Sequence, residues 1–507
     1  MQQGFLPFQY GTEHRAGGMT GLSGLAVYLE MADAMGLGES IRRYVKVKEG
    51  GQGWTDRQMV TALVLLNLAG GEGVDDLRVL EGDEGLGRML GRVETHRQRA
   101  CERREEGSRW RGGRRRSVPS PSAVFRYLGR FHDPVQEEAR QPHTAFIPAP
   151  NGALRGLGKV NAEMMSFVRD HLEQEQATLD MDATLIETYK QEALYCYQGY
   201  KAYQPMVTYW AEADLVVHSE FRDGNVPAGF EQLRVLRESL AHLPEGVVKV
   251  MLRSDTAGYQ VELLRYCAEG RDERFGVIEF AVGADVTEGF KRAAAEVEES
   301  QWRRLPRMVG ELAVETEQEW AEVDFVPDRL AYSKNDPDYR FIAVREPLRR
   351  PPLPGMEDDL ELSVPAMEMP DRGWYKIRGI VTNRELPGDE VVRWYRERCG
   401  KGEEVHGVLK EDLAGGRLPS GQFGANAAWW AIAALAFNLN SAVKQLALGG
   451  QWVNKRLKAV RFALINLAGP VVCHARKLLI RLARGHPSFP LLAGAHRRIG
   501  ALAHGPP

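Results

Sequence analysis

The sequence predicts an α/β fold in which a mixed sheet is flanked by helical segments at both ends of the chain. Three observations predict it. Apolar residues recur at helical spacing through residues 1–93. From Gln176 onward, short runs of alternating or continuous apolar residues are separated by turns and amphipathic helices, in the order strand, strand, strand, helix, strand, helix, strand. From Leu413 to Pro507 there are 12 Lys or Arg and no Asp or Glu, with a long segment apolar nearly all round inside that stretch.

The first region contains LSGLAVYLEMADAMGLGESI and RQMVTALVLLNLAGG, both of helical period, and VDDLRVLEG, with acids at its start as a helix N-terminus prefers. The stretch THRQRACERREEGSRWRGGRRRSVPSPS follows. It is rich in Arg, Gly and Ser and poor in apolar residues, as in a linker or an arm that orders on a polyanion. Ser120-Pro121-Ser122 then opens a short helix, AVFRYLGRFH. In the sheet region, ATLDMDAT is an alternating strand, and QPMVTYWAEADLVVHSEF supplies two strands across a turn at Glu212–Asp214. PAGFEQLRVLRESLAHL is an amphipathic helix, VVKVMLRSD an apolar strand ending on an acid, YQVELLRYCAEG a helix and FGVIEFAV a strand. YRFIAVRE and WYKIRGIVTN are strand-like runs in Pro- and acid-rich surroundings. DEVVRWYRERCGKGEEVHGVLKEDL reads as one long helical segment, and NAAWWAIAALAFNLNSAVKQLAL as a buried helix.

A chain of 507 residues suggests two to four domains. Its 43% hydrophobic and 27% charged content is that of ordinary globular proteins. Five scattered cysteines with no CxxC pair argue against a disulfide framework or a zinc ribbon. The N-terminus lacks the basic start and apolar core of a signal peptide. The apolar stretch Ala427 to Leu439 is too short for a bilayer, and Asn438, Asn440 and Lys444 interrupt its continuation. A cytoplasmic protein with no membrane partner is expected. The net charge of -3 conceals a polarity: His96–Arg116 holds nine Arg against three Glu, and the acids concentrate mid-chain. Local charge decides where a polyanion binds, so two basic regions around an acidic middle favour a nucleic-acid partner over a merely solubilising tail.

Two acids stand at strand ends. Asp182 closes the first strand and Asp255 the fourth. Ligands collect at the carboxyl ends of strands in α/β sheets. If these strands are neighbours, the acids face each other, and a third carboxylate would complete an oxygen site for Mg2+ or Mn2+. Each acid also has a plainer reading. Asp182 could serve a turn. Asp180 lies on the same strand face as a rival or a structural acceptor. Asp255 could cap a helix beginning near Gly258. Farther on, Glu403, His406 and Lys410 share one helix face, preceded by Tyr395 and Arg398. Such a face could serve a metal and phosphates, or be a solvated Glu–Lys network.

These residues resemble the insertion-sequence transposases that carry a DDE triad and a YREK signature, of the DDE group 1 type. Asp182-Ala183-Thr184 is similar to the first acidic motif and Asp255 to the second. Tyr395, Arg398, Glu403 and Lys410 match the signature, and KEDLAGGRLPSGQFGANAAWWAIAALAFNLN continues the likeness. The resemblance covers roughly residues 115–450. Six residues separate Glu403 from Lys410, as in the signature, which selects Glu403 over Glu404. Four residues, not the usual three, separate Arg398 from Glu403, so Arg396 stays an alternative.

The resemblance implies an RNase H-like core in two parts, 136–284 and 374–447, interrupted by a mainly β insertion at 285–373. It also implies a helical DNA-binding region at 1–135 and a basic helical region at 448–507. Asp182, Asp255 and Glu403 would be the catalytic, metal-binding carboxylates, with Mg2+ or Mn2+ as cofactor, and Tyr395, Arg398, His406 and Lys410 would contact DNA. The expected partners are terminal inverted repeats, target DNA and a second copy in a synaptic homodimer. The competing functions are a related nuclease on the same core and an inactive, DNA-binding repressor.

Overall fold

A computed structural model describes residues 18–48, 53–97, 116–309, 312–327, 339–348, 365–369, 372–474 and 477–504. Most of the Arg-rich stretch, residues 98–115, lies outside the described residues. The main helices are α1 (Leu25–Ala34), α2 (Asp56–Ala69), α3 (Gly152–Leu172), α4 (Gln232–His242), α5 (Val261–Ala268), α6 (Gly388–Arg396), α7 (Arg398–Gly407), α8 (Phe423–Ala442) and α9 (Phe489–His504). Local chemistry sets several starts. Thr55 and Gln58 cap α2 reciprocally, at 3.2 and 3.0 Å, and Ser120 accepts from Ala123 N at 3.3 Å to open the helix Pro121–Gly129. Helix α3 was not expected from the sequence, because its glycines and scattered polar residues blur the apolar stripe.

The central sheet has ten strands: β1 (Gln176–Ala183), β2 (Met206–Trp210), β3 (Leu215–Glu220), β4 (Lys249–Ser254), β5 (Glu279–Ala284), β6 (Arg303–Arg304), β7 (Glu319–Val323), β8 (Arg340–Pro347), β9 (Ala366–Met369) and β10 (Gly373–Thr382). Their spatial order is β6-β7-β8-β10-β5-β4-β1-β2-β3, with β9 on β10. Strand β2 runs antiparallel to both of its neighbours, β1 and β3, whereas β4 and β5 run parallel to β1 across helical crossovers. Asp214, at φ 50, makes the tight turn between β2 and β3.

Residues 285–373 carry the helix Glu288–Glu296, a small hairpin (Arg307–Val309 with Leu312–Val314) and β6 to β9. The larger strands extend the central sheet instead of closing on a sheet of their own. The cause lies at the junction, where β10 pairs antiparallel with β5 on one side and β8 on the other. Thr382 donates to Phe280 O at 2.6 Å, and Asn383 bridges Phe280 N and Ile278 O, locking that seam.

Helix α8 is the axis of the helical part and packs against α2, α3 and β3. Its run continues through Leu448 in a π-helical turn, longer than the apolar stretch expected from the sequence. By length and composition alone Phe423–Leu448 could cross a membrane, but it is covered by protein over 83% of that window. The asparagines expected to interrupt it sit inside the core and are satisfied. Asn438 donates to Asn161 Oδ1 at 2.7 Å and to Val216 O at 2.8 Å, and accepts from Val216 N at 2.8 Å. Asn440 accepts from Tyr28 at 2.8 Å. Buried amides of this kind are tolerated because nearly every polar atom finds a partner.

The first and last described segments meet around this axis. The region expected to be helical after residue 448 contains a hairpin, Gly469–His474 with Lys477–Ile480, and Met19–Thr20 adds a strand to it. Helix α9 packs on α1, and Arg461 donates to Asn67 O, Leu68 O and Asp412 O at 2.7–3.0 Å.

Candidate active site

The site forms where β1 and β4 end side by side. Their parallel register pairs Asp180 with Arg253 and Met181 with Ser254, so Asp182 and Asp255 leave the sheet as neighbours. Asp182 accepts from the Ala183 amide at 2.9 Å. Asp255 accepts from Ala257 N at 3.0 Å and caps the single turn Thr256–Gly258. The capping role foreseen for Asp255 is real, engages one of its oxygens, and leaves the carboxylate within electrostatic reach of Asp182.

Helices α6 and α7 cross over these strand ends. The long helix expected here is broken. Cys399 (φ -68, ψ 135) and Gly400 (φ 79, ψ -44) leave helical geometry between Arg398 and Glu403. Two of the four residues that separate this pair are therefore not helical, which absorbs the additional residue noted in the sequence. The break lets Arg398 turn inward, where its guanidinium lies 3.5 Å from Asp182 and stacks on Tyr395 at 5.8 Å. Arg396, the alternative, is half-buried; burial and the charge of Arg378 hold its pKa down, and neither Asp182 nor Asp255 is among the groups that act on it.

The electrostatics identify a strained cluster. Burial pushes the carboxyl of Asp182 up, opposed by Arg398 and abetted by Asp180 and Glu403. Burial also pushes Asp255 up, and the charge of Asp182 adds to it. Burial works against the charge of Arg398, but Asp182, Tyr395 and Asp255 outweigh it. Burial and the cations Lys410 and Arg398 lower His406 to about 4, so it is neutral at physiological pH. His406 is only 8% exposed, with Lys410, Arg398 and Glu403 as the charges that act on it. Lys410 sits in a π-helical turn, Val408–Asp412, and donates to Leu185 O at 3.3 Å, just past the end of β1.

Glu403 is exposed at the rim, one turn beyond Arg398, and is felt electrostatically by both Asp182 and His406. Glu404 points elsewhere. It pairs with Lys401 at 3.5 Å, and Lys401 pairs with Asp214 at 3.3 Å. Burial would raise Asp214, but Lys444 at 2.8 Å and Lys401 hold it below its ordinary value. Among the described residues, no three His, Cys, Asp or Glu side chains are close enough to hold a metal ion. Asp182 and Asp255 are together and Glu403 stands apart, as like charges do unless a cation lies between them. The residues nonetheless fit a divalent ion. The three acids offer only hard oxygen donors, and the mutual repulsion of Asp182 and Asp255 is what such a charge relieves.

The acid Asp180 has a structural role. Arg253 grips it bidentately at 2.6 and 2.9 Å, and the same guanidinium donates to Trp394 O at 2.7 Å and Glu397 at 2.8 Å. This pair fastens the end of α6 to the sheet directly under Tyr395 and Arg398. Sequence reasoning passed over Arg253, although an arginine inside the apolar run VVKVMLRSD was the available signal.

The chain matches the family described as transposase DDE domain group 1 over residues 12–504. No curated protein matches it. Among solved structures it is similar to the piggyBac transposase synaptic complex with hairpin DNA. That similarity has 10% sequence identity and a TM-score of 0.41, covering 87% of this chain and 80% of the other.

Proposed function

This chain belongs to the transposase DDE domain group 1 family, and from that premise we propose that it cuts DNA at the ends of an insertion sequence and joins the freed 3′-hydroxyl to target DNA. The observation that carries the reading is the pair Asp182 and Asp255 at adjacent parallel strand ends, with Arg398 at 3.5 Å from Asp182 and Glu403 at the rim. The strand order β3-β2-β1-β4-β5 supports an RNase H-like core for the catalytic part.

Asp182, Asp255 and Glu403 would hold Mg2+ or Mn2+. When bound, these ions supply charge neutralisation and acidify water, so no protein base is needed. Tyr395 and Arg398 would orient the scissile phosphate, since a guanidinium offers a planar fork to its oxygens. Lys410 would add a positive charge just past the end of β1. His406, buried and neutral, would contribute to DNA binding as a packed neighbour of this helix face and not as a cation. A synaptic homodimer at paired element ends, reached through the basic helical regions, belongs to the same proposal.

The test is cleavage of DNA carrying the element's flanking repeats, with and without Mg2+ or Mn2+. Glu403→Gln is expected to lower nicking by about 10³-fold, while Glu404→Gln stays within about threefold of wild type. Tight, salt-sensitive binding by the wild-type protein without metal-dependent nicking would defeat the proposal.

The helix break supplies a second expectation. Nothing lies within 4 Å of a Cβ added at Gly400, so Gly400→Ala meets no clash, only a dihedral that residues with a Cβ avoid. The chain should relieve this by shifting Arg398 relative to Glu403. Nicking is expected to fall about tenfold with DNA affinity unchanged, because misplacement by about 1 Å is costly in positioned chemistry. Wild-type nicking by Gly400→Ala would show that the break does not set the site.

A further inference from the structure

The segment immediately after β1 forms a small flap with no part in the chemistry above. It comprises three short strands, Ile186–Glu187, Leu194–Tyr195 and Lys201–Tyr203, with the last in the middle. Its inner side is packed into the body of the protein: Ile186, Ala193 and Tyr203 belong to the main hydrophobic core, and Cys196 and Ala202 are buried as well. Its root is tied to the site, since Lys410 donates to Leu185 O and Thr184 N donates to Pro205 O at 3.0 Å. Arg140 fixes its far side through Glu192 O at 3.0 Å. Only three residues lie between Asp182 and Ile186, so the flap starts within about 13 Å of Asp182.

Its outer surface is aromatic. Tyr189, Tyr195 and Tyr197 are 94%, 64% and 77% exposed, and they are the only exposed tyrosines among the described residues. None of the three closes the interior. The Lys201 ammonium lies 5.9 Å over the Tyr195 ring and donates to Gln191 O at 2.6 Å. Across residues 186–203, Lys190 and Lys201 are balanced by Glu187 and Glu192. A surface that tracks duplex phosphates needs an excess of cations, which this one lacks. Exposed aromatic rings suit the faces of unpaired bases, which stack on tyrosine regardless of sequence.

We propose that Tyr189, Tyr195 and Tyr197 form a stacking platform for unpaired nucleotides at the DNA end being processed. The inference rests on the transposase reading and assigns the flap to one substrate state, an end whose terminal bases have separated. The duplex is left to the basic regions, and the tyrosines would be used only once the end opens.

The experiment compares the full-length wild-type protein with a Tyr189→Ala/Tyr195→Ala/Tyr197→Ala variant and the corresponding triple Phe variant. The probe is an element-end duplex whose terminal base pairs are either matched or mismatched, with 2-aminopurine at the terminal position. Affinity of the Ala variant for the mismatched end is expected to fall about tenfold or more, with the matched duplex bound within about twofold of wild type. The Phe variant should bind both as wild type does and keep the quenching of 2-aminopurine that reports stacking. Equal loss on both probes, no loss on either, or a changed oligomeric state with unchanged selectivity would overturn the platform. Failure of the underlying reading is separable: wild-type protein would then show no metal-dependent nicking at element ends, whatever the tyrosines do.

Discussion

Asp182→Asn is expected to lower cleavage at element ends by at least about 10³-fold, to leave DNA affinity within about twofold, and to raise the thermal stability of the metal-free protein by about 2 °C. The opposite signs follow from one cause. Burial, with Asp180 and Glu403 adding, makes the ionised form of Asp182 unfavourable and holds its pKa above the ordinary carboxylate value. A group whose folded pKa is raised binds protons more strongly in the native state. Stability therefore falls as pH rises from the ordinary carboxylate pKa through the raised one, and the loss persists above it. Asn removes that cost while keeping the shape, and Arg398 retains Asp255 as a counter-charge. Below that window both proteins should be equally stable. Added Mg2+ or Mn2+ should stabilise wild type and not the variant, because only a site that binds the ion gains from it. The same raised carboxyls make protons competitors of the cation, so cleavage should decline as pH falls into this window. A variant that melts below wild type, or loses DNA binding along with cleavage, would mean that Asp182 is part of the framework and not of the chemistry.

The strands that hold the acids were legible because burial on one or both faces writes itself into the sequence. ATLDMDAT alternates and VMLRSD is an apolar run ending on an acid, and both lie on strands of the central sheet. Their adjacency was not legible. Parallel pairing of β1 with β4 is a long-range register that no local pattern encodes, and only the order of elements suggested it. The continuation of the sheet through β10 into β8 was hidden for the same reason, since WYKIRGIVTN and YRFIAVRE read as strands without saying whose edge they join.

At α7 the difficulty was chemical. Cys-Gly-Lys-Gly can extend a helix or break it, and the choice was settled by Arg398 turning toward Asp182. Lys410 and His406 were found by their spacing, but the spacing could not reveal that the chain becomes π-helical from Val408 or that His406 is buried. The flap at 186–203 left almost no trace, since three strands of two or three residues have no period to detect.

Removal of the Arg253 guanidinium is expected to have the largest effect on the framework. In Arg253→Met, Asp180 would keep its position, 4% exposed, without its bidentate partner. An uncompensated buried charge of this kind costs about 3–5 kcal/mol, here a drop in Tm of about 3–5 °C for a chain of this length unfolding as one. Two further contacts go with it, to Trp394 O and to Glu397, and so does the guanidinium 5.2 Å over the Trp394 ring. The end of α6 would no longer be fastened to β4, and Tyr395 and Arg398 ride on that end. The double variant Asp180→Leu/Arg253→Met separates the two consequences. With both charges gone and the volume filled, most of the lost stability should return, since a buried ion pair gains little over apolar packing. Cleavage should not return, because Val391 and Val392 anchor only the earlier part of α6 and the polar tie that fixes its Trp394–Glu397 end beside Asp182 is still missing. Calorimetry and the nicking assay on the same preparations read the two effects apart. Recovery of both would reduce the pair to a packing element. A single variant that melts within about 1 °C of wild type would mean that Asp180 is held by something other than Arg253.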